Sequence, residues 1–296
     1  MHRLCQEFRF FADIGVLYQV RFREPLWTRH PNYEYDGWDA LAIFLEGYAF
    51  ARQGTRPDFA HAASDAVAEA RKNGVSITNR QAAQLVWERF ARLLGSEGLN
   101  HANNPLCPKG TKYKRKTGWT ETYQQSALEF LSELPKEGEP PNIILYATTK
   151  LQGGKTSEFY DSLRGAAGIN GIGSKIASFF LRDVATRYDI HPSKDRHLLQ
   201  PIDIWVRRIT EQLLQEHQPQ GGAEFLDRWL VQVSTHCSVN PEAVNQGIWY
   251  FGSQIAGSGY RTFKALKDLK YAKSLLDEHI EILHQAGSKG TANSPS

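Results

Sequence analysis

The sequence predicts an all-α fold, because its apolar residues recur mostly with the spacing of a helix and seldom alternate as in a strand. Two segments rich in loop-forming residues, Gly95–Gly118 and Glu137–Pro141, separate the periodic stretches. The periodic stretches predict helices over Ser76–Leu94, Thr120–Leu134, Ile204–His217, Ala223–Val233, Pro241–Ile255 and Arg261–His284.

Start and stop signals define three further boundaries. Trp38 opens an apolar run that predicts a long helix ending near Gln53. Asn240 followed by Pro241 predicts a helix start, since asparagine caps a helix and proline suits its first position. Gly287–Ser296 is small and polar, so we expect a disordered tail over residues 286–296.

Composition and length exclude several classes of protein. A chain of 296 residues is long enough for one large domain or two lobes. The net charge is only +3, so binding to an acidic partner has to depend on a local basic patch. Cys5, Cys107 and Cys237 lie far apart and predict neither a disulfide framework nor a metal site. No signal peptide and no membrane-spanning run is visible, so we expect a cytoplasmic protein with no membrane partner.

The most informative motif is Gly171-Ile172-Gly173-Ser174-Lys175. It joins two helical segments through a tight turn, where glycine accepts positive φ and lets the backbone approach a ligand closely. A helix that starts at Ser174 presents amide N–H groups without intrahelical partners. Such a helix N-terminus binds anions, and we expect Gly171, Gly173 and Ser174 to contact a phosphate.

The helix that follows this turn has two different faces. Lys175 and Phe179 are four residues apart and share one face, which presents an amine and an aromatic ring one turn apart. Five apolar residues repeat at helical spacing on another face and predict a core stripe: Ala177, Phe180, Leu181, Val184 and Ala185.

Together with Asp203 in the sequence Pro201-Ile202-Asp203, the motif resembles the helix-hairpin-helix/Gly-Pro-Asp superfamily of DNA glycosylases. The long connection between Lys175 and Asp203 is similar to the archaeal-type 8-oxoguanine DNA glycosylase/lyase branch. The resemblance implies two helical lobes with the active site in the cleft between them. Residues 34–200 would form the hairpin lobe, and residues 1–33 with 201–285 would form the second lobe.

The resemblance also implies that Lys175 and Asp203 are the catalytic residues. We expect no cofactor and no metal, because three cysteines cannot hold the four-cysteine iron–sulfur cluster that some members of the superfamily carry. A helix N-terminus disfavours a cation at Lys175 and favours an anion at Asp203, which stands at a predicted helix start. The carboxylate would stabilise positive charge that develops on the sugar, while the amine attacks the anomeric carbon and forms a Schiff base. In the alternative interpretation, Lys175 only binds phosphate and Asp203 is only a helix cap.

In the same branch, aromatic residues sandwich the flipped base, and Phe179 and Trp249 stand where we expect that pair. Asn245 lies one turn before Trp249 and is a candidate for hydrogen bonding to the base edge, where the branch has a carboxylate. Gln53, at the end of the helix that Trp38 opens, is a further candidate. Trp249 also fits a core role, because its neighbours form an apolar stripe: Val244, Ile248, Phe251 and Ile255.

A basic run supplies the candidate DNA-binding patch. Five positive charges fall within Lys109–Lys116, and neutralisation of the backbone drives DNA affinity. A solvated surface loop is the alternative interpretation. Four members of the run are predicted phosphate contacts: Lys112, Lys114, Arg115 and Lys116.

The leading hypothesis is a DNA glycosylase with AP-lyase activity, acting as a monomer on double-stranded DNA that contains a modified base, such as 8-oxoguanine in base excision repair. Because Asn245 departs from the branch, excision of a hypermodified cytosine (for example glucosylated hydroxymethylcytosine) from phage DNA as antiviral defence is an alternative. A non-catalytic helix-hairpin-helix DNA-binding protein is the alternative of another class.

Thr149–Thr156 resembles a nucleotide-binding loop, but no alternating strand–helix pattern surrounds it.

Overall fold

The computed structural model describes residues 1–51, 57–95, 104–115, 118–134, 141–217 and 225–290. The chain divides into two compact units. The central unit is Arg21–Pro201, and the terminal unit combines Met1–Val20 with Ile202–Ser296. The boundary predicted at residue 34 therefore falls inside the central unit.

The described residues form an almost entirely helical fold, as the periodicity predicts. The central unit contains α2 (Glu24–Arg29), α3 (Gly37–Phe44), α4 (Pro57–Lys72), α5 (Arg80–Leu94), β1 (Lys112–Arg115), β2 (Gly118–Glu121), α6 (Ala127–Glu133), α7 (Ile143–Gln152), α8 (Thr156–Arg164) and α9 (Ser174–Arg187). The terminal unit contains α1 (His2–Tyr18), α10 (Ile204–His217), α11 (Leu226–His236), α12 (Pro241–Tyr250), α13 (Gly259–Lys267) and α14 (Leu269–Gly290).

Caps decide where several helices begin. Helix α5 begins four residues later than predicted, because the side chain of Asn79 accepts a hydrogen bond from the Gln81 amide at 2.9 Å. Helix α3 begins after Asp36, whose side chain accepts from the Trp38 amide at 2.8 Å. It continues as a π-helical turn over Leu45–Ala49, so the structure ends this helix short of Gln53. Helix α10 has the predicted bounds.

The prediction of one helix over Thr120–Leu134 is wrong. Gly118–Glu121 pairs antiparallel with Lys112–Arg115, and this two-stranded hairpin also replaces part of the predicted loop. Helix α6 begins only after Ser126, which forms a capping box with Glu129. The Ser126 hydroxyl accepts from the Glu129 amide at 3.3 Å, and the Glu129 carboxylate accepts from the Ser126 amide at 2.7 Å.

The prediction of one helix over Arg261–His284 is also wrong, because the chain is extended at Asp268. The Asp268 carboxylate accepts from the Lys270 amide at 2.9 Å and caps α14. The helix then continues to Gly290, so the predicted tail is helical in its first residues. Residues 291–296 lie outside the described part of the chain.

The terminal unit is held together by helix α1 packed on α12. A Cβ atom on Gly247 would lie 1.7 Å from the Phe11 carbonyl oxygen, and one on Gly15 would lie 2.5 Å from the Ala243 oxygen. Only glycine at both positions allows the two backbones to approach so closely.

A disulfide joins Cys5 of α1 to Cys237 at the end of α11, and Cys107 is a buried free thiol. The expectation that the cysteines form no disulfide is therefore wrong. Sequence spacing could not reveal the pair, because the fold brings together residues 232 positions apart. Among the described residues, no helix combines the length and the apolar character that a bilayer span requires.

Candidate functional site

Helices α8 and α9 form the predicted helix–turn–helix pair, joined by the loop Gly165–Gly173. The loop folds back on α8: the Ile169 amide donates to the Leu163 carbonyl at 2.9 Å, and the Ile172 amide donates to the Ile169 carbonyl at 3.1 Å. Gly171 has φ +74°, a conformation that favours glycine. The sequence therefore builds a tight turn at this point.

Gln125 anchors this loop to the rest of the central unit. Its backbone pairs with Ile169 in an isolated bridge: the Asn170 amide donates to the Gln125 carbonyl at 2.8 Å, and the Gln125 amide donates to the Gly168 carbonyl at 3.2 Å. The Gln125 side chain also donates to the Ala167 carbonyl. Because Gln125 follows β2 closely in the chain, the basic β-hairpin and the helical hairpin are tied to each other.

The N-terminus of α9 is open. Gly173, the residue before the helix, has an extended backbone, and a Cβ atom there would meet nothing within 4 Å. Neither backbone strain nor internal packing requires this glycine, so its effect is to leave the backbone accessible. No side chain caps the helix, and Gly173, Ser174 and Lys175 are exposed. This arrangement can bind an anion through backbone amides.

Lys175 and Phe179 lie on the face of α9 that differs from its core stripe. Lys175 is exposed, whereas Phe179 is partly buried and packs against the core of the central unit. The guanidinium carbon of Arg182 lies 4.6 Å from the centre of the Phe179 ring. The predicted core stripe of α9 is confirmed, because all five of its apolar residues are buried.

Sequence reasoning missed the buried charges behind Phe179. Arg182 is fully buried, and its Nε donates to Asp183 Oδ1 at 2.8 Å. Asp183 Oδ2 pairs with Arg23 Nε at 2.7 Å, and Arg23 stacks over the Tyr48 ring. Buried charges are tolerated only when they are paired in good geometry, so this network holds Arg182 firmly under the ring. The adjacent Arg182 and Asp183, set within an apolar stripe, are the sequence signal for it.

Asp203 caps helix α10. Its Oδ1 accepts hydrogen bonds from the amides of Trp205 at 2.9 Å and Val206 at 2.8 Å. Within the described part of the chain, no hydrogen bond or ion pair involves Oδ2. The carboxylate is partly buried and lies at the positive end of a helix, where an anion is stabilised. Asp203 is thus a structural cap that retains one oxygen for a further contact.

The candidate base-binding residues of α12 are more buried than a recognition surface requires. Trp249 is partly buried, and its ring lies edge-on to Tyr18, with 5.6 Å between the ring centres. Asn245 is fully buried, so a base can reach it only if neighbouring side chains move. The predicted core stripe of this segment is confirmed: Val244, Ile248, Phe251 and Ile255 are all buried.

The remaining candidate residues lie in different parts of the chain, and two of them lie outside the described residues. Lys112 is exposed, with its Nζ 3.8 Å from the Glu121 carboxylate across the β-hairpin. Lys114 and Arg115 belong to strand β1. Lys116 and Gln53 lie outside the described residues. Lys175, Phe179 and the loop glycines belong to the central unit, whereas Asp203, Asn245 and Trp249 belong to the terminal unit.

One cluster has the composition of a metal site: Glu7, Glu216 and His217. His217 Nε2 lies 3.1 Å from Glu7 Oε2. Arg3 Nε lies 3.1 Å from Glu7 Oε1, and Arg3 Nη2 lies 3.4 Å from Glu216 Oε1. Arg3 therefore supplies the positive charge that a metal ion would bring, and we interpret the cluster as an ion-pair network.

Comparison with known proteins identifies one distant relative. The chain is similar to an uncharacterised protein of Methanocaldococcus jannaschii, with 23% identity over an alignment that covers 86% of this chain and 67% of the relative. No family model matches the sequence, and no solved structure matches it.

Proposed function

We propose that this protein is a DNA glycosylase with AP-lyase activity, which flips a modified base out of double-stranded DNA and excises it. The observation that carries the proposal is the open N-terminus of α9. It combines an uncapped helix start behind a tight glycine turn with an exposed amine, Lys175, and an aromatic ring, Phe179, one turn further on. Base excision needs all three: a phosphate anchor, a nucleophile and a stacking surface.

In the proposed reaction, the amides of Ser174 and Lys175 bind a DNA phosphate and place the strand against α9. Phe179, backed by the Arg182 guanidinium, stacks on the extruded base. The Lys175 Nζ attacks the anomeric carbon with its lone pair, and the bond from that carbon to the base nitrogen breaks with its electron pair on the base. Oδ2 of Asp203 stabilises the positive charge that develops on the sugar. The attacking amine passes a proton to the departing base. The C1′–O4′ bond then breaks with its electron pair on O4′, which takes up a proton from solvent, and the resulting protonated Schiff base allows β-elimination of the 3′ phosphate.

Borohydride trapping on oligonucleotides that carry single modified bases tests the proposal. The panel contains 8-oxoguanine and glucosylated hydroxymethylcytosine, so that it separates the repair substrate from the phage-defence substrate. We expect wild-type protein to form a covalent adduct with one substrate and Lys175→Gln to form none. Lys155→Gln is the matched control, because Lys155 is also an exposed lysine at the start of a hairpin helix. Equal trapping by Lys175→Gln and wild type would refute the assigned nucleophile.

A non-catalytic DNA-binding role is the second candidate, and the cap at Asp203 favours it. The substitution Asp203→Asn separates the two roles, since an asparagine oxygen still caps a helix but carries no charge. We expect Asp203→Asn to keep the melting temperature and the DNA affinity and to lose nearly all excision. If no modified base on the panel is excised by wild type while duplex DNA still binds, the non-catalytic role is correct.

A further inference from the structure

Helix α13 in the terminal unit exposes one face that the proposed base excision does not use. Its exposed positions follow helical spacing and combine two aromatic side chains with two basic ones: Tyr260, Phe263, Lys264 and Lys267. Tyr260 is 76% exposed and Phe263 is 46% exposed. The opposite face, with Thr262, Ala265 and Leu266, is buried. The two rings are therefore not needed for the core of this unit.

The same region concentrates positive charge. Residues 259–273, from the start of α13 into α14, contain one acidic residue and five basic ones: Arg261, Lys264, Lys267, Lys270 and Lys273. The net charge of these fifteen residues is +4, against +3 for the whole chain. The acidic residue, Asp268, uses its carboxylate to cap α14. Arg261 Nη2 pairs with Glu278 Oε2 of α14 at 3.4 Å, so the four lysines are the charges that a polyanion meets.

Two of the lysines are held over aromatic rings. Lys267 Nζ lies 4.0 Å from the centre of the Phe263 ring, and Lys264 Nζ lies 4.3 Å from the centre of the Tyr271 ring. These cation–π contacts keep the ammonium groups beside the rings rather than extended into solvent. The surface consequently offers charge and aromatic area at the same place.

We propose that this surface, residues Tyr260 to Lys270, binds single-stranded nucleic acid. Lysines neutralise the phosphates of the strand, and exposed rings stack on unpaired bases, which a duplex keeps hidden. An anionic membrane is less well matched, because the aliphatic side chains of α13 point into the core and leave no exposed aliphatic face. The inference does not depend on base-excision chemistry, since its ligand carries no modified base.

Binding of a labelled oligothymidine by the full chain, measured by fluorescence anisotropy over a range of salt, tests this inference. The charge variant is Lys264→Gln/Lys267→Gln/Lys270→Gln, and the ring variant is Tyr260→Ala. The control variant is Lys72→Gln/Arg92→Gln/Lys155→Gln, which removes the same charge from exposed positions elsewhere. All substituted side chains are exposed, so circular dichroism should show unchanged folding for each variant.

We expect the charge variant to lower the magnitude of the log–log salt slope by about two, since each contact with a single strand contributes about 0.7. The ring variant should weaken binding at least about fivefold, the effect of losing one stacked base. The control variant should change neither quantity by as much. Equal losses in charge and control variants would overturn the inference, and so would an unchanged affinity in the ring variant. Stronger binding of the patch to phosphatidylglycerol vesicles than to oligothymidine would also overturn it.

Discussion

Reducing the Cys5–Cys237 disulfide should destabilise the terminal unit by several kcal/mol. The bridge closes a loop between residues 232 positions apart, and that loop contains the whole central unit. For a loop of this length, the loss of entropy in the unfolded chain corresponds to about 5 kcal/mol, at the upper end for native disulfides. A loss of that size lowers the melting temperature of a domain by at least about 10 °C.

The assay is differential scanning calorimetry with and without a phosphine reductant. The Cys5→Ser/Cys237→Ser variant should melt early under both conditions, whereas Cys107→Ser should keep the full difference. Burial raises the pKa of the Cys107 thiol, so it should resist alkylation in the folded protein.

Thiol counting gives the refuting result. Unfolded, unreduced protein should alkylate at Cys107 alone, because the other two cysteines are joined. Three alkylated thiols in that sample would refute the pairing. A melting temperature that does not respond to the reductant would refute the energetic argument.

Three further predictions follow from the site and its surroundings. Trp249→Ala should remove about 1–3 kcal/mol of stacking on the extruded base and slow excision accordingly. Binding to unmodified duplex should change less, because only the flipped state uses the ring. Equal loss of stability and of all activities would assign Trp249 to the core alone. The second change neutralises the basic run at Lys112, Lys114, Arg115 and Lys116. The log–log salt slope for binding to duplex DNA should fall in magnitude by about 0.9 for each lost phosphate contact. An unchanged slope would show that the run is a solvated hairpin. Burial raises the pKa of Glu46, but hydrogen bonds from groups including His30 and Arg29 lower it more, from 4.5 to about 2. The ionised carboxylate therefore stabilises the fold fully above about pH 4.5 and less as the pH falls toward 2. The difference in free energy of unfolding between wild type and Glu46→Gln, measured with urea, should therefore close over that range. A difference that does not depend on pH would contradict the ion pairing.

Local patterns predicted the elements whose ends carry strong signals. Pro241 at the start of α12 and the apolar stripe of α9 are examples, since cap chemistry and helical spacing depend on adjacent residues. The sequence does contain a signal against a single helix over Thr120–Leu134, because Ser126 and Glu129 have the spacing of a capping box, which marks a helix start. The β-hairpin before it could not be inferred from short strands with mixed polarity.

How deeply the candidate site residues are buried could not be predicted from the sequence. Helical spacing identifies which residues share a face, but α12 is buried on several faces at once, including at Glu242 and Gln246. Asn245 was therefore assigned to an accessible face that the structure does not have. Likewise, Asp183, which pairs with Arg182, also pairs with Arg23 from a distant part of the chain, and no local pattern indicates that Arg23 belongs to this network.

The close packing of α1 on α12 has a consequence for synthesis on the ribosome. Helix α1 is made first, but the helix that fits against Gly15 and Phe11 is made more than two hundred residues later. At about 5–20 residues per second, the apolar side of α1 waits ten seconds or more for its partner. The central unit can fold during that interval, since its segments are contiguous. We expect nascent chains stalled just before Pro241 to hold a folded central unit and to present α1 to chaperones that bind exposed apolar helices.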